Sequence, residues 1–237
     1  MNKFGTEKYI ANLSIDCVIF GYENKELKVL VAKSKSGDGF WNLPGGYIMK
    51  TESIENAASR ILRVRTGLEN IYLEQFKVFG HENRIIDSKF RAFLLTHLTE
   101  KYNQADAEWM TDRFICIGFY ALVEISKVNP QKGELDESLE WRSIKDVPEM
   151  MHDHNKILDD ALKALRQNFD QKFIGFNLLP ETFTMKELQE LYETVYNKPF
   201  AMNNFQKKIL DLNVLERLEK KFTGAQNKAP YLYRLKR

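Results

Sequence analysis

The stretch WNLPGGYIMKTESIENAASRILRVRTGL, residues 41–68, decides how this chain is read. It opens on a Pro-Gly-Gly loop at 41–47 and passes into helical spacing over residues 53–66, with Ile54, Ala57, Ala58, Ile61, Leu62 and Val64 at the apolar positions. Gly46 lets the loop turn tightly before the helix, and Gly67 ends it. Upstream, residues 15–20 and 27–33 are β-rich runs split by the turn signal GYENKE, which predicts a hairpin. Downstream, strand material recurs at 72–79 and 114–125, with a short strand around Trp141 and Ile144 before Pro148. Between the two longer runs, 88–98 reads as helix and 99–112 as loop. Residues 155–168 carry Ile157, Leu158, Ala161, Leu162 and Leu165 at periods of three and four, an amphipathic helix. Strands interleaved with helices to about residue 150 indicate an α/β or α+β domain.

Working outward, the whole chain has 237 residues, enough for one large or two modest domains with a real core. At 43% hydrophobic and 29% charged residues it has the composition of an ordinary globular protein. The longest apolar run, 114–123, is strand-sized, and the N-terminal residues lack the apolar segment of a signal peptide. The two cysteines, Cys17 and Cys116, sit inside apolar runs and read as reduced core thiols of a cytoplasmic protein. Membrane, secreted and zinc-finger classes are thereby excluded, and no metal or cofactor is expected.

The last sixty residues have a different grammar. Thr184 can cap a helix at MKELQELYETVYN, with Glu187 placed for a capping box. Lys198-Pro199 breaks that helix, and a second is predicted over 202–213. VLERLEKKF and APYLYRLKR then read as two strands flanking the turn-rich TGAQNK. Helix, turn, helix and β-hairpin is the pattern of a winged helix. The formal net charge of +2 hides an asymmetry: residues 198–237 hold ten basic residues against three acids, about +7, so residues 1–197 sum to about −5. The predicted organisation is an α/β or α+β domain over 1–150, which the family resemblance described next makes effector-binding, a linker helix over 151–175 and a DNA-binding winged helix over 176–237.

Residues 41–68 resemble the Nudix box, G-x5-E-x7-R-E-U-x-E-E-x-G-U, with Gly46, Glu52, Arg60, Leu62, Gly67 and Leu68 in register. That resemblance implies a Nudix-like α/β/α sandwich, and with the winged helix an α+β chain. The departures carry more weight. Where the family places glutamates, this chain has Ile61, Val64 and Arg65, at i, i+3 and i+4 on one helical face. Two apolar groups and a guanidinium cannot ligate a hard cation, and Arg65 would repel it. Glu52 and Arg60 are expected to pair structurally. Joined to HDHNKILDDALKALR at 152–166 and NLLPETFTMKELQELYETVYNKPFAMNNFQKKIL, the chain is similar to the Nudix-related transcriptional regulators. Its length and the insertion at 85–113 look most like the arabinose-utilisation branch.

That resemblance implies a non-catalytic repressor, homodimeric on double-stranded operator DNA and released by a pentose such as L-arabinose. The alternative is the branch regulating NAD metabolism, responding to ADP-ribose, whose phosphates Arg65 and Arg84 could meet. A hydrolase using Glu52 and Glu55, or an adaptor whose winged helix binds protein, stands outside both. For DNA the candidates are Asn203, Asn204, Lys207 and Lys208 on the second helix, with Lys220, Lys221 and Lys228 at the wing. Asn203 serves alternatively as a plain helix cap. For the effector they are Asp16, Trp41, Asn42, His81, Asn83 and Arg84, with Arg113 or Glu108 added from the insertion. Each has a structural alternative: Asp16 as a turn cap, Trp41 as core, His81 as a partner of backbone groups.

Overall fold

The structure, a computed structural model, describes residues 7–35, 39–69, 71–84, 88–221 and 229–236. At its centre the long strand β1 (Tyr9–Glu23) runs parallel to β6 (Ile115–Glu124), with Asp16 opposite Gly118. Both strands are buried on both faces, which is why each reads as a nearly continuous apolar run. β1 turns through Asn24 and Lys25, both at positive φ, into the antiparallel β2 (Glu26–Ser34), the predicted hairpin. The two-residue β3 (Trp41–Asn42) and then β7 (Asp136–Ser143) pair with β2, while β5 (Leu73–Phe79) closes the far edge on β6.

β4 (Gly45–Met49) pairs with the first half of β1, so of the loop expected over 41–47 only Leu43 and Pro44 stay outside a strand. The reason is close approach: a Cβ on Gly45 would lie 2.5 Å from Asp16 Oδ1 and 2.7 Å from the Ile15 carbonyl oxygen. Helix α1 (Ile54–Thr66) follows, with the Ser53 side chain accepting from the Asn56 N–H and Gly67 at φ +72° closing its end. Ala57, Ala58, Ile61 and Leu62 of α1 pack on Ile15, Cys17 and Ile19, one face of β1. Val18 and Phe20, on the other face, meet Ile157, Leu158, Ala161 and Leu165 of the long helix α4 (His154–Lys172). One helix on each face of the sheet makes the α/β/α sandwich, and the chain as a whole is α+β.

The described part of the insertion holds two helices joined by a short turn. After α2 (Ser88–Thr99) comes α3 (Gln104–Met110), where a loop was predicted. Asn103 nucleates it by accepting from the Asp106 N–H, and Trp109 anchors it in a cluster with Tyr9 and Phe114. Tertiary packing overrides weak propensity over these seven residues.

Beyond α4 the chain forms the predicted winged helix. Thr184 and Glu187 build a reciprocal capping box at α5 (Met185–Tyr196), and Asn197 ends that helix at φ +51°. α6 (Met202–Asp211) and the strands β9 (Leu215–Lys220) and β10 (Tyr231–Leu235) follow. A third strand, β8 (Phe183–Thr184), pairs with β10 and was not anticipated, because two residues carry no alternation to read. The winged helix shares a continuous core with the sandwich, running from Phe20 through Leu165 and Phe169 to Leu188, Tyr192 and Phe205. Polar contacts reinforce it: Lys25 Nζ pairs with Glu190 at 2.9 Å, and Arg166 Nε donates to the Val195 carbonyl at 2.8 Å. Among the described residues, no helix is long and apolar enough to cross a membrane.

Candidate functional site

A cavity of about 410 Å³ opens where β1, β4, α1, the helical insertion and the start of α4 converge. Its wall combines two chemistries. Tyr9, Tyr47, Phe114, Leu94, Leu98 and Met110 supply apolar lining, with Tyr47 and Phe114 ring centroids 5.4 Å apart and Trp109 packed behind, 4.6 Å from Tyr47. Arg60, Arg65 and Arg84 bring three guanidiniums to the same space.

Each arginine is held by a carboxylate. Arg60 makes a two-pronged pair with Glu52 at 2.6 and 2.9 Å and also donates to the Tyr47 carbonyl at 2.8 Å. Hydrogen bonding from Arg60 holds the Glu52 carboxyl below its usual pKa. Arg65 pairs with Asp136, whose carboxylate also accepts the Gly133 N–H at 2.6 Å. Arg84 joins three partners: Asp153 at 2.9 Å, the Phe114 carbonyl at 3.0 Å and Asp16 at 3.4 Å. Burial opposes the Arg84 charge, but Asp16, Cys116 and Asp153 outweigh it and raise its pKa.

Asp16 is the buried hub of this network. Its Oδ2 also accepts from the Cys116 thiol at 2.9 Å and stands 3.6 Å from His154 Nε2. His154 Nδ1 accepts the Leu43 N–H at 3.0 Å, which places the proton of the neutral ring on Nε2, facing Asp16. Burial lowers the His154 pKa and favours that neutral form.

Three of the six expected effector residues, Asp16, Asn42 and Arg84, therefore meet on the cavity wall. The other three do not. Trp41 lies on β3 with its ring against the Arg142 guanidinium at 4.8 Å, outside the lining. His81 and Asn83 point into solvent, because the His81 Nδ1 accepts the Asn83 N–H at 3.3 Å and builds the turn that aims Arg84 inward. Arg113 straps that turn by donating to the Gly80 carbonyl at 2.6 Å, and Glu108 accepts from Gln104 on the outside of α3. Sequence reading passed over Tyr9, Tyr47 and Phe114, which looked like core, and over Asp153 and His154. The HDH segment at 152–154, quoted only as the start of a helix, held that signal.

The fold implies a divalent cation on α1, and the residues present do not fit one. Ile61 is buried against the sheet, Val64 is exposed and Arg65 is in its ion pair. Both Glu52 oxygens are engaged by Arg60 and the Met49 N–H, and Glu55 is exposed. Among the described residues, no group of three or more His, Cys, Asp or Glu side chains could hold a metal.

On the winged helix, Asn203, Asn204 and Lys207 stand exposed on the first turns of α6. The N-cap is Ala201, so Asn203 lies inside the helix and does not cap it. Lys208 is drawn toward α4 instead, pairing with Asp170 at 2.5 Å. At the wing base the Lys220 ammonium lies 5.3 Å from the Tyr231 ring centre, and Lys221 reaches Glu187 at 3.4 Å. Lys228 lies outside the described residues. Arg217, not considered from sequence, stacks on Tyr231 at 3.4 Å.

A sandwich with this box, this cavity and this helix pair is a Nudix domain fused to a winged helix. Residues 12–162, more than half of the chain, match the NUDIX domain family, and the chain belongs to it. Residues 175–235 match the NrtR DNA-binding winged helix domain, which makes the chain a Nudix-related transcriptional regulator. Among individual proteins it is 23% identical over 228 residues to the ADPR responsive transcriptional repressor NtrR of Acinetobacter baylyi, covering 94% of this chain and 81% of that one. Shewanella oneidensis NrtR superposes with a TM-score of 0.68 at 26% identity, covering 95% of this chain and 94% of that one. Its complex with a 27mer DNA has the same fold, with a TM-score of 0.65 at 24% identity, covering 94% and 93%.

Proposed function

We propose that the chain is a DNA-binding transcriptional repressor whose Nudix cavity binds ADP-ribose, or a closely related nucleotide, and does not hydrolyse it. The observation that carries this reading is the mixed lining of one cavity: three guanidiniums together with the rings of Tyr9, Tyr47 and Phe114. A nucleoside diphosphate linked to a sugar carries two phosphates and a flat base, and so matches both chemistries. The name of the Acinetobacter relative supports the same effector. A pentose, the first expectation, carries no charge for the arginines to meet and finds no support among the relatives. Non-catalysis is supported by Ile61, Val64 and Arg65 at the cation positions and by the engagement of Glu52.

Asn203, Asn204 and Lys207 are proposed to face base edges and phosphates in the major groove, with Lys220 and Lys221 on the flanking backbone. Two copies of the chain would read paired half-sites, with the dimer formed in the cytoplasm where the DNA lies. Calorimetry of the full chain against ADP-ribose, L-arabinose and xylose tests the effector, and a gel shift with each ligand tests release. Heat from ADP-ribose together with weakened DNA binding is expected. Heat from L-arabinose alone would return the assignment to sugar utilisation. Cation-dependent turnover of ADP-ribose, of order one per second or faster, would refute the non-catalytic reading.

A further inference from the structure

Helix α4 is gripped at both ends by charges that belong to the two functional regions. Its N-cap residue is Asp153, yet the Asp153 side chain makes no cap to its own helix. The carboxylate is turned instead onto Arg84 Nε at 2.9 Å, and Arg84 lines the cavity. At the other end, Asp170 pairs with Lys208 of the α6 recognition helix. Nineteen residues separate cavity from reader by about 28 Å of rigid helix, and one continuous core packs α4 against α5 and α6.

We infer that the Arg84–Asp153 ion pair is the coupling element between cavity and DNA-binding face. Two arrangements of Asp153 compete. In one, seen here, it holds Arg84 and gives the first turn of α4 no side-chain cap, while the His154 N–H bonds the Met151 carbonyl at 3.3 Å. In the other, an anion in the cavity takes the Arg84 guanidinium, and the released carboxylate turns back to cap its own helix. The buried Asp16 stays with Arg84 in both, so the guanidinium keeps a counter-charge while Asp153 is exchanged. Re-forming the first turn shifts α4, and the shared core carries that shift to α6. A ligand that binds the second arrangement better must lower DNA affinity by the factor at which DNA lowers its own binding. The inference rests on the regulatory reading above and adds the residue through which it works.

The test uses Asp153→Asn in the full chain, because Asn can still cap a helix but cannot hold Arg84 by charge. The control is Asp160→Asn, which removes other ion pairs of α4, those with Lys77 at 2.7 Å, Lys163 at 3.2 Å and Lys156 at 3.7 Å. The DNA probe is a duplex selected from a random-sequence pool by the wild-type chain. With no effector present, Asp153→Asn should bind that duplex about tenfold more weakly than wild type, and Asp160→Asn within about twofold. Added ADP-ribose should lower the affinity of Asp153→Asn by less than twofold further, while calorimetry still shows it bound. Wild-type DNA affinity in Asp153→Asn, or a full further response to ADP-ribose, would overturn the inference. If wild type ignores ADP-ribose while Asp153→Asn still loses DNA affinity, the effector assignment falls and the coupling stands.

Discussion

The cavity and helix α6 both present cations, and they keep them in opposite ways. Arg60, Arg65 and Arg84 are each locked to a carboxylate, with the Arg84 side chain only 8% exposed. Asn203, Asn204 and Lys207 stand in water on α6. A charge taken out of water must find its counter-charge inside the fold, whereas an exposed ammonium is satisfied by solvent until a phosphate arrives. An anion entering the cavity must therefore compete with Glu52, Asp136, Asp16 and Asp153, which filters weak ligands. At Lys207, proposed to meet DNA, a phosphate would face no such competition, and the affinity gained there would come from counterion release. Lys208 is the intermediate case, exposed but shared with Asp170.

The largest effect expected from this contrast is on stability. Arg84→Ala would leave Asp16 and Asp153 facing each other without their cation and should destabilise the fold by about 3–5 kcal/mol in denaturant unfolding. A loss below about 1 kcal/mol would show that the cavity charges are solvated after all. Next comes DNA binding. Lys207→Ala with Lys208→Ala should weaken binding about tenfold or more at physiological salt and reduce the salt slope by about 2. Of the single variants, Lys207→Ala should cost more, since Lys208 is partly engaged by Asp170. Equal losses would erase the distinction between free and shared cations.

The smallest effect is on the pH profile. Burial holds His154 neutral in the folded chain, so its pKa lies below the ordinary value of about 6.5 that it regains on unfolding. Below that value the unfolded chain takes up a proton that the folded chain refuses. Stability is thus complete above about 6.5 and falls as pH drops, by at most about 1.4 kcal/mol per pH unit from this group. Denaturant midpoints between pH 7.5 and 5.5 should shift less steeply in His154→Gln. An unchanged slope would assign the pH dependence to other groups.

Much of the fold was legible because local signals and tertiary demands agree. The hairpin turn, the helix stop at Gly67 and the Thr184–Glu187 box each encode their own conformation within a few residues. The elements that escaped, β4, β8 and α3, depend on distant partners: β4 on Asp16 beside Gly45, β8 on β10, α3 on the packing of Trp109. Asp16 and Arg84 could be singled out because the resemblance to the Nudix family marks the segments that line its pocket. The aromatic wall could not, because Tyr9, Tyr47 and Phe114 come from three separate segments and each alone looks like ordinary core.

By itself, then, the sequence determined the two kinds of domain, the loss of the cation-binding carboxylates at 61, 64 and 65, and the basic bias after residue 198. Those are properties of residue type and spacing, and they survive any arrangement in space. Only the tertiary structure decided which charges are free. His81 faces solvent and Arg84 faces the cavity although three positions separate them, because the turn between them reverses direction. Asp153 holds an arginine 69 residues earlier in the chain instead of capping its own helix, since a buried guanidinium left without its counter-charge costs more than a helix N-terminus left without a side-chain cap.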